Sequence, residues 1–195
     1  MKKNAAIFLD RDGTINEEVG YIESLDRFII IPDAFEAIRL INLSGLKAVV
    51  ITNQAAIARG IATEAFVRKT HEHLQEMLQQ KGAAIDAFYY CPHHPTEGSP
   101  DYRRICDCRK PAPGLFLQAA RDMDIDLAAS FMIGDRYRDM ESAHRAGVKG
   151  VLVKTGYGAD VLEKAGPDRE TPEEKPEFIA ENILDAVRWI LRNRT

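Results

Sequence analysis

Short apolar runs alternate along this chain with segments whose apolar residues recur every three or four positions, the pattern of a parallel sheet wrapped by helices. The runs AAIFL (5–9), LKAVVIT (46–52), IDAFYY (85–90), SFMIG (130–134) and GVLVK (150–154) predict strands. Between the first two, Ala34, Ala37, Ile38 and Ile41 share one helical face that stops at Gly45. A second helix opens at Thr63-Glu64, carries Phe66, Thr70, Leu74, Met77 and Leu78 along one side, and ends before Gly82. A third follows Pro113 with Leu115, Phe116, Ala119, Ala120 and Met123, and a shorter one holds Met140, Ala143 and Ala146. The last is expected over 177–192, on Ile179, Ile183, Val187 and Ile190, with Trp189 beside them. Two segments, 90–113 and 156–176, fit no regular element; the second is charged and proline-bearing, which predicts an exposed, mobile connection. The expectation is a single domain over 1–195: a Rossmann-like, doubly wound, mainly parallel sheet with helices on both faces.

Composition narrows the partners. The 195 residues are 45% hydrophobic and carry a formal net charge of -4, which argues against general affinity for nucleic acid or anionic membrane. No apolar run approaches the roughly 18 residues of a membrane span. The opening MKKNAAIFLDRD has too short an apolar stretch for a signal peptide, so a cytoplasmic chain is expected. All 3 cysteines lie in one short segment, which suggests a reducing compartment and a metal rather than a disulfide framework.

Ligands of doubly wound sheets sit outside the carboxyl ends of the strands. Here the first strand ends in Asp10 and Asp12, the second in Thr52-Asn53, and the fourth in Gly134-Asp135. Extended chain alternates its side chains, so Asp10 and Asp12 share a side, and Gly13 lets the chain turn away. Taken singly, each piece reads as a turn or a helix cap. Together they bring three acidic groups to one crevice, an arrangement that needs a cation and whose oxygen donors suit Mg²⁺.

The segment from CPHHP to CDC offers Cys91, one of His93 or His94, Cys106 and Cys108. Three thiolates and an imidazole make a closed tetrahedral zinc site of the structural kind, and spacing does not choose between the histidines. Such a zinc loop, over 91–108, would fix the backbone just before Arg109 and Lys110. His71, His73 and His144 show no ligand spacing and read as surface residues.

DRDGT, ITN, RKP and GDRYRD, in that order over most of the chain, resemble the four motifs of the haloacid dehalogenase superfamily. LDRDGTINEEVGYI, NQAAIARG and the cysteine loop resemble, within it, the branch acting on heptose bisphosphates; histidinol-phosphate phosphatases, which share the zinc loop, are the nearest alternative. The resemblance implies Mg-dependent removal of the 7-phosphate through an aspartyl-phosphate intermediate. It implies Asp10 as nucleophile, Asp12 as general acid and base, and Thr52 and Lys110 as phosphoryl-binding groups. It implies Mg²⁺ held by Asp10, the Asp12 backbone carbonyl and Asp135, with Asp139 orienting groups around it, and it selects His93 as the fourth zinc ligand beside Cys91, Cys106 and Cys108.

Too little chain separates these motifs for a cap domain, so a capless site is expected, with selectivity set by loops. The candidates are Glu18, Val19, Gly20 and Tyr21, then Asn53, Gln54 and Arg59, then Arg109 and Arg136. Two departures from the branch pattern bear on sugar contacts: Ala55-Ala56 follow Gln54 where Ser-Gly is usual, and Arg136 stands where lysine is common. The partner expected is a small phosphosugar, with no nucleic acid, no membrane and a monomeric chain. A non-catalytic zinc-bearing binding module is the reading from a different class, and the acidic balance and the complete set of Asp10, Asp12, Thr52, Lys110 and Asp135 argue against it.

Overall fold

Six strands form one parallel sheet in the computed structural model, which describes residues 3–165 and 175–194. They are β1 (Ala6–Leu9), β2 (Lys47–Asn53), β3 (Ala87–Cys91), β4 (Phe131–Gly134), β5 (Lys149–Val153) and β6 (Phe178–Ala180), in the order β3-β2-β1-β4-β5-β6. β1 pairs with β2 through Ile7↔Ala48 and with β4 through Ile7↔Phe131. The winding reverses between β1 and β4, so connections leave those two carboxyl ends in opposite directions and open a crevice between them.

Both faces are covered, which is why the strands read as continuous apolar runs. On one face Ile7 and Leu9 meet α1 (Pro32–Leu43), α2 (Glu64–Gln79) and α6 (Ile183–Asn193), through Ile38, Leu74 and Val187 among others. On the other, Ala6 and Phe8 meet α3 (Gly114–Met123) and α4 (Tyr137–Arg145), with the Phe8 and Phe116 rings edge to face at 4.9 Å. Local signals set the helix ends. Pro32 supplies the first turn of α1, and Thr63 Oγ1 accepts the Phe66 amide at 3.1 Å to cap α2. Only a 3-10 turn (Leu25–Arg27) and α1 link β1 to β2, and only α2 links β2 to β3, so among the described residues no cap domain covers the carboxyl ends. Among the described residues no helix is long and apolar enough to cross a membrane.

Two expectations near the carboxyl terminus change. The segment expected to lack regular structure forms α5 (Gly158–Ala165), whose Val161 and Leu162 pack on the second core; residues 166–174 of that segment, including Pro167 and Pro172, lie outside the described residues. The last helix begins at Ile183, because residues 178–180 are strand β6 and Ile179 is exposed. Ile179 falls four residues before Ile183, so it fits the helical period by coincidence, and three residues are too few to display strand alternation. Asn182, whose Oδ1 accepts the Asp185 amide at 2.9 Å, is the cap that marks the true start.

Candidate active site

β1 delivers Asp10 to the crevice, where its amide donates to Ile133 O of β4 at 2.9 Å. Asp10 Oδ1 accepts the Arg11 amide at 2.8 Å and lies 3.0 Å from Lys110 Nζ. Lys110 Nζ also forms an ion pair with Asp139 Oδ1 at 2.7 Å and donates a hydrogen bond to Ile51 O at 2.9 Å. Burial opposes a charged Lys110, but Asp10 and Asp139 outweigh it and hold the ammonium above the ordinary lysine pKa. Burial pushes Asp10 up; Lys110 offsets part of the rise, while the charges of Asp139 and Asp12 add to it. No hydrogen bond among the described residues engages Asp10 Oδ2.

Asp135, at the end of β4, is buried beneath this cluster. Its Oδ2 accepts the Tyr157 amide at 2.8 Å, and its Oδ1 is buried with no partner among the described residues. Burial, then the charges of Asp10 and Asp139, push its carboxyl up to about 8. Backbone crowds it as well: a Cβ on Gly13 (φ +82°) or on Gly156 (φ +58°) would stand 2.3 Å from Asp135 Oδ2. Carboxylate oxygens of Asp10, Asp135 and Asp139 lie within 4.8 Å of one another. An orphaned oxygen among hard donors fits a small divalent cation such as Mg²⁺. Lys110 already neutralises Asp10 and Asp139 in part, so Asp135 is the group that most lacks a counter-charge. Asp139 also accepts the Arg136 amide at 3.1 Å, tying α4 to the lysine.

Asp12 lines the same cavity but belongs to a different network. Arg11 Nη2 reaches both its oxygens, at 2.6 and 2.7 Å, and Arg11 Nε donates to Oδ1 at 3.1 Å. Asn16 and Gln54 add donors at 3.0 and 2.9 Å. Burial raises the Asp12 carboxyl, but the Arg11 guanidinium and these hydrogen bonds outweigh it and hold the group below the usual carboxylate range. It rests ionised. Gln54 also donates to Thr52 Oγ1 at 3.0 Å, and Asn53 exchanges hydrogen bonds with the Lys110 backbone at 3.1 and 3.0 Å. Both amides that the sequence assigned to the sugar thus hydrogen-bond to Thr52 or to the Lys110 backbone. His71, expected at the surface, is buried, with Nε2 3.4 Å from Arg11 Nη1 and its ring stacked on Phe88 at 4.7 Å. Its place on the Val67, Thr70, His71, Leu74, Leu78 stripe of α2 is the sequence signal for that burial.

The cavity above these groups has a volume of about 450 Å³, within the range of small-molecule sites. Glu18, Gly20, Tyr21 and Arg59 line it, whereas the partly buried Val19 packs against the hydrophobic core. Arg59 stacks on Tyr21 at 5.7 Å and pairs with Glu97 at 2.8 Å. Arg109 donates to His93 O at 2.9 Å, and Arg136 lies over the Tyr157 ring at 3.5 Å. Arg138 completes a set of four rim arginines with no ion-pair partner of its own among the described residues. The sequence reading missed Arg138 and Tyr157. Arg138 stands two residues after Arg136, and Tyr157 follows the end of β5, where the strand-end rule also points.

The cysteine loop borders the same cavity through His94. Cys108 Sγ lies 3.3 Å from both Cys91 Sγ and Cys106 Sγ, and His93 Nδ1 lies 3.3 Å from Cys108 Sγ and 3.6 Å from Cys91 Sγ. Tetrahedral thiolates around zinc at about 2.3 Å stand about 3.7 Å apart, close to these separations, so the four side chains could hold zinc. His94 instead accepts the Glu97 amide through Nδ1 at 3.0 Å. Tyr102 anchors the loop to α2 by donating to Glu64 at 2.8 Å.

Comparison with known proteins agrees with this geometry. The HAD-hydrolase-like family model matches residues 107–186. The D-glycero-D-manno-heptose-1,7-bisphosphate 7-phosphatase of Chlorobaculum tepidum is 40% identical, over 96% of this chain and 94% of that protein. The D-glycero-beta-D-manno-heptose-1,7-bisphosphate 7-phosphatase of Escherichia coli K12 is 46% identical, over 80% of this chain and 82% of its own. A crystal structure of D,D-heptose 1,7-bisphosphate phosphatase from B. bronchiseptica, complexed with magnesium and phosphate, superposes with a TM-score of 0.83 at 33% identity, covering 96% of this chain and 98% of that one.

Proposed function

This chain belongs to the heptose-1,7-bisphosphate 7-phosphatases of the haloacid dehalogenase superfamily, and on that premise we propose how its residues remove the 7-phosphate of D-glycero-D-manno-heptose 1,7-bisphosphate. The observation that carries the reading is one cavity lined both by buried side chains and by more exposed arginines. Asp10, Thr52 and Lys110 lie at its floor, and Arg59, Arg109, Arg136 and Arg138 stand at its rim. A substrate with a primary phosphate at one end and a ring phosphate at the other satisfies both sets. The product, heptose 1-phosphate, keeps the phosphate that a nucleotidyltransferase consumes in building an activated heptose for lipopolysaccharide or another surface glycan. Cysteines grouped around one metal site accord with work in the cytoplasm.

Asp10 Oδ2, the uncommitted oxygen, attacks phosphorus to form an aspartyl phosphate as the bond to the sugar oxygen breaks. Asp12, ionised at rest, takes up the proton of the bound phosphate monoanion and passes it to that leaving oxygen. It then takes one from the water that hydrolyses the aspartyl phosphate, restoring Asp10 and releasing phosphate. The Arg11 pair keeps the carboxylate form ready for this second task. Thr52 and Lys110 hold the transferring group in line. Mg²⁺ held by Asp10, Asp135 and the Asp12 carbonyl would neutralise phosphoryl oxygens and the Asp135 charge together.

The test is a substrate comparison. Arg109→Ala and Arg136→Ala should each lower kcat/KM for the bisphosphate by about ten- to a hundred-fold, the loss of a charged hydrogen bond, while p-nitrophenyl phosphate is almost unaffected. Histidinol phosphate, whose far end is cationic, should be poor against four arginines. Faster turnover of histidinol phosphate than of the bisphosphate would reverse the assignment.

For the cysteine loop, we expect about one zinc per chain in protein prepared without chelator. Cys106→Ser should lose that zinc and most activity yet keep its far-UV circular dichroism, because the loop precedes Lys110 while the sheet has its own core. Metal-free wild-type protein by elemental analysis would remove zinc from the account.

A further inference from the structure

Asp12 is aimed by a line of contacts that ends in a buried imidazole. Arg11 is 2% exposed, and its Nη2 and Nε are occupied by Asp12. Its Nη1 faces His71 Nε2 at 3.4 Å. A guanidinium has no acceptor, so Nε2 must be the acceptor, which requires a neutral ring with its proton on Nδ1. The ring itself is held firmly: it stacks on Phe88 with an interplanar angle of 13°, and Tyr90 meets it edge-on at 5.8 Å. Burial, then the Arg11 charge, lower the His71 pKa to about 3, so the neutral form persists across the working range. The other side of the guanidinium is bounded by the Phe28 ring, 5.7 Å from Cζ.

The arrangement makes little sense as a stability device. Desolvating a guanidinium against a neutral imidazole gains less than filling the same space with an apolar side chain. It does restrict where the Asp12 carboxylate can lie. We propose that His71 is a positioning residue for phosphoryl transfer, acting through Arg11 to fix the Asp12 carboxylate where the leaving oxygen and then the hydrolytic water meet it. The inference rests on Asp12 being the proton-transfer group, as argued above.

His71→Phe keeps the aromatic stack and removes the acceptor. His71→Gln keeps an acceptor near the Nε2 position. On the bisphosphate, His71→Phe should lower kcat about ten- to a hundred-fold with little change in KM, the loss expected when a reacting group is misplaced by a fraction of an ångström. With p-nitrophenyl phosphate the leaving group departs without a proton, so the first step is spared and the second is not. Stopped-flow measurement should therefore show a burst of nitrophenolate stoichiometric with enzyme, followed by slow turnover, and His71→Gln should restore most of the rate. An unchanged kcat in His71→Phe would overturn the proposal. So would an equal loss on both substrates without a burst and without rescue by Gln. Asp12→Asn, run alongside, should show the same burst; near-normal turnover by that variant would instead remove the reading of Asp12 on which the positioning role stands.

Discussion

Asp10→Asn should fold as well as the unaltered protein and lose at least about 10⁴-fold in kcat, the scale of removing a covalent nucleophile. The amide keeps the shape of the side chain but has no oxygen nucleophilic enough to attack phosphorus. Stability should be unchanged or higher in metal-free protein. The folded site raises the Asp10 pKa, so ionised Asp10 opposes folding at neutral pH, and an amide escapes that penalty. Phosphate release and chemical denaturation on the same preparation check both halves. An active Asp10→Asn variant, with its sequence verified, would exclude the covalent route.

Lys110→Met should do damage of a different kind. The lysine is 2% exposed and neutralises Asp10 and Asp139 at once, at 3.0 and 2.7 Å. Removing it leaves carboxylates buried against one another, and breaking a buried ion pair in this way costs about 3–5 kcal/mol. Activity should fall with it, since the transferring phosphoryl group loses its closest fixed cation. Adding Asp139→Asn to Lys110→Met should recover much of the stability and none of the activity. Urea denaturation of the single and double variants reads the first effect, and phosphate release reads the second. Equal stability of the single and double variants would show that the lysine matters to the reaction alone.

The floor of the site was legible in the sequence because strand ends are local features. AAIFLDRDGT places Asp10 and Asp12 at the mouth of the sheet whatever the rest of the chain does, and SFMIGD does the same for Asp135. The three cysteines of the metal-ligand set were legible for a similar reason, since they fall in one short loop, whereas the choice of His93 over His94 came from the family resemblance. What escaped depends on pairs far apart in the chain. The contact of Arg11 with His71 spans 60 positions, and that of Tyr157 with Asp135 spans 22. Neither leaves a periodic trace. Val19 sits among rim residues in sequence but turns to the core, because a loop without strand or helix period does not announce which side faces in. β6 was lost to the phase of Ile179 against the helix that follows, with Asn182 as the neglected boundary.

The central claim is that the floor takes the primary phosphate while the arginine rim keeps the ring phosphate. Phosphorus NMR of a single reaction with D-glycero-D-manno-heptose 1,7-bisphosphate tests this most directly. The account predicts that the 7-phosphate resonance disappears, inorganic phosphate grows in its place, and the anomeric 1-phosphate resonance persists to the end of the reaction. Loss of the anomeric resonance, with heptose 7-phosphate accumulating, would contradict it.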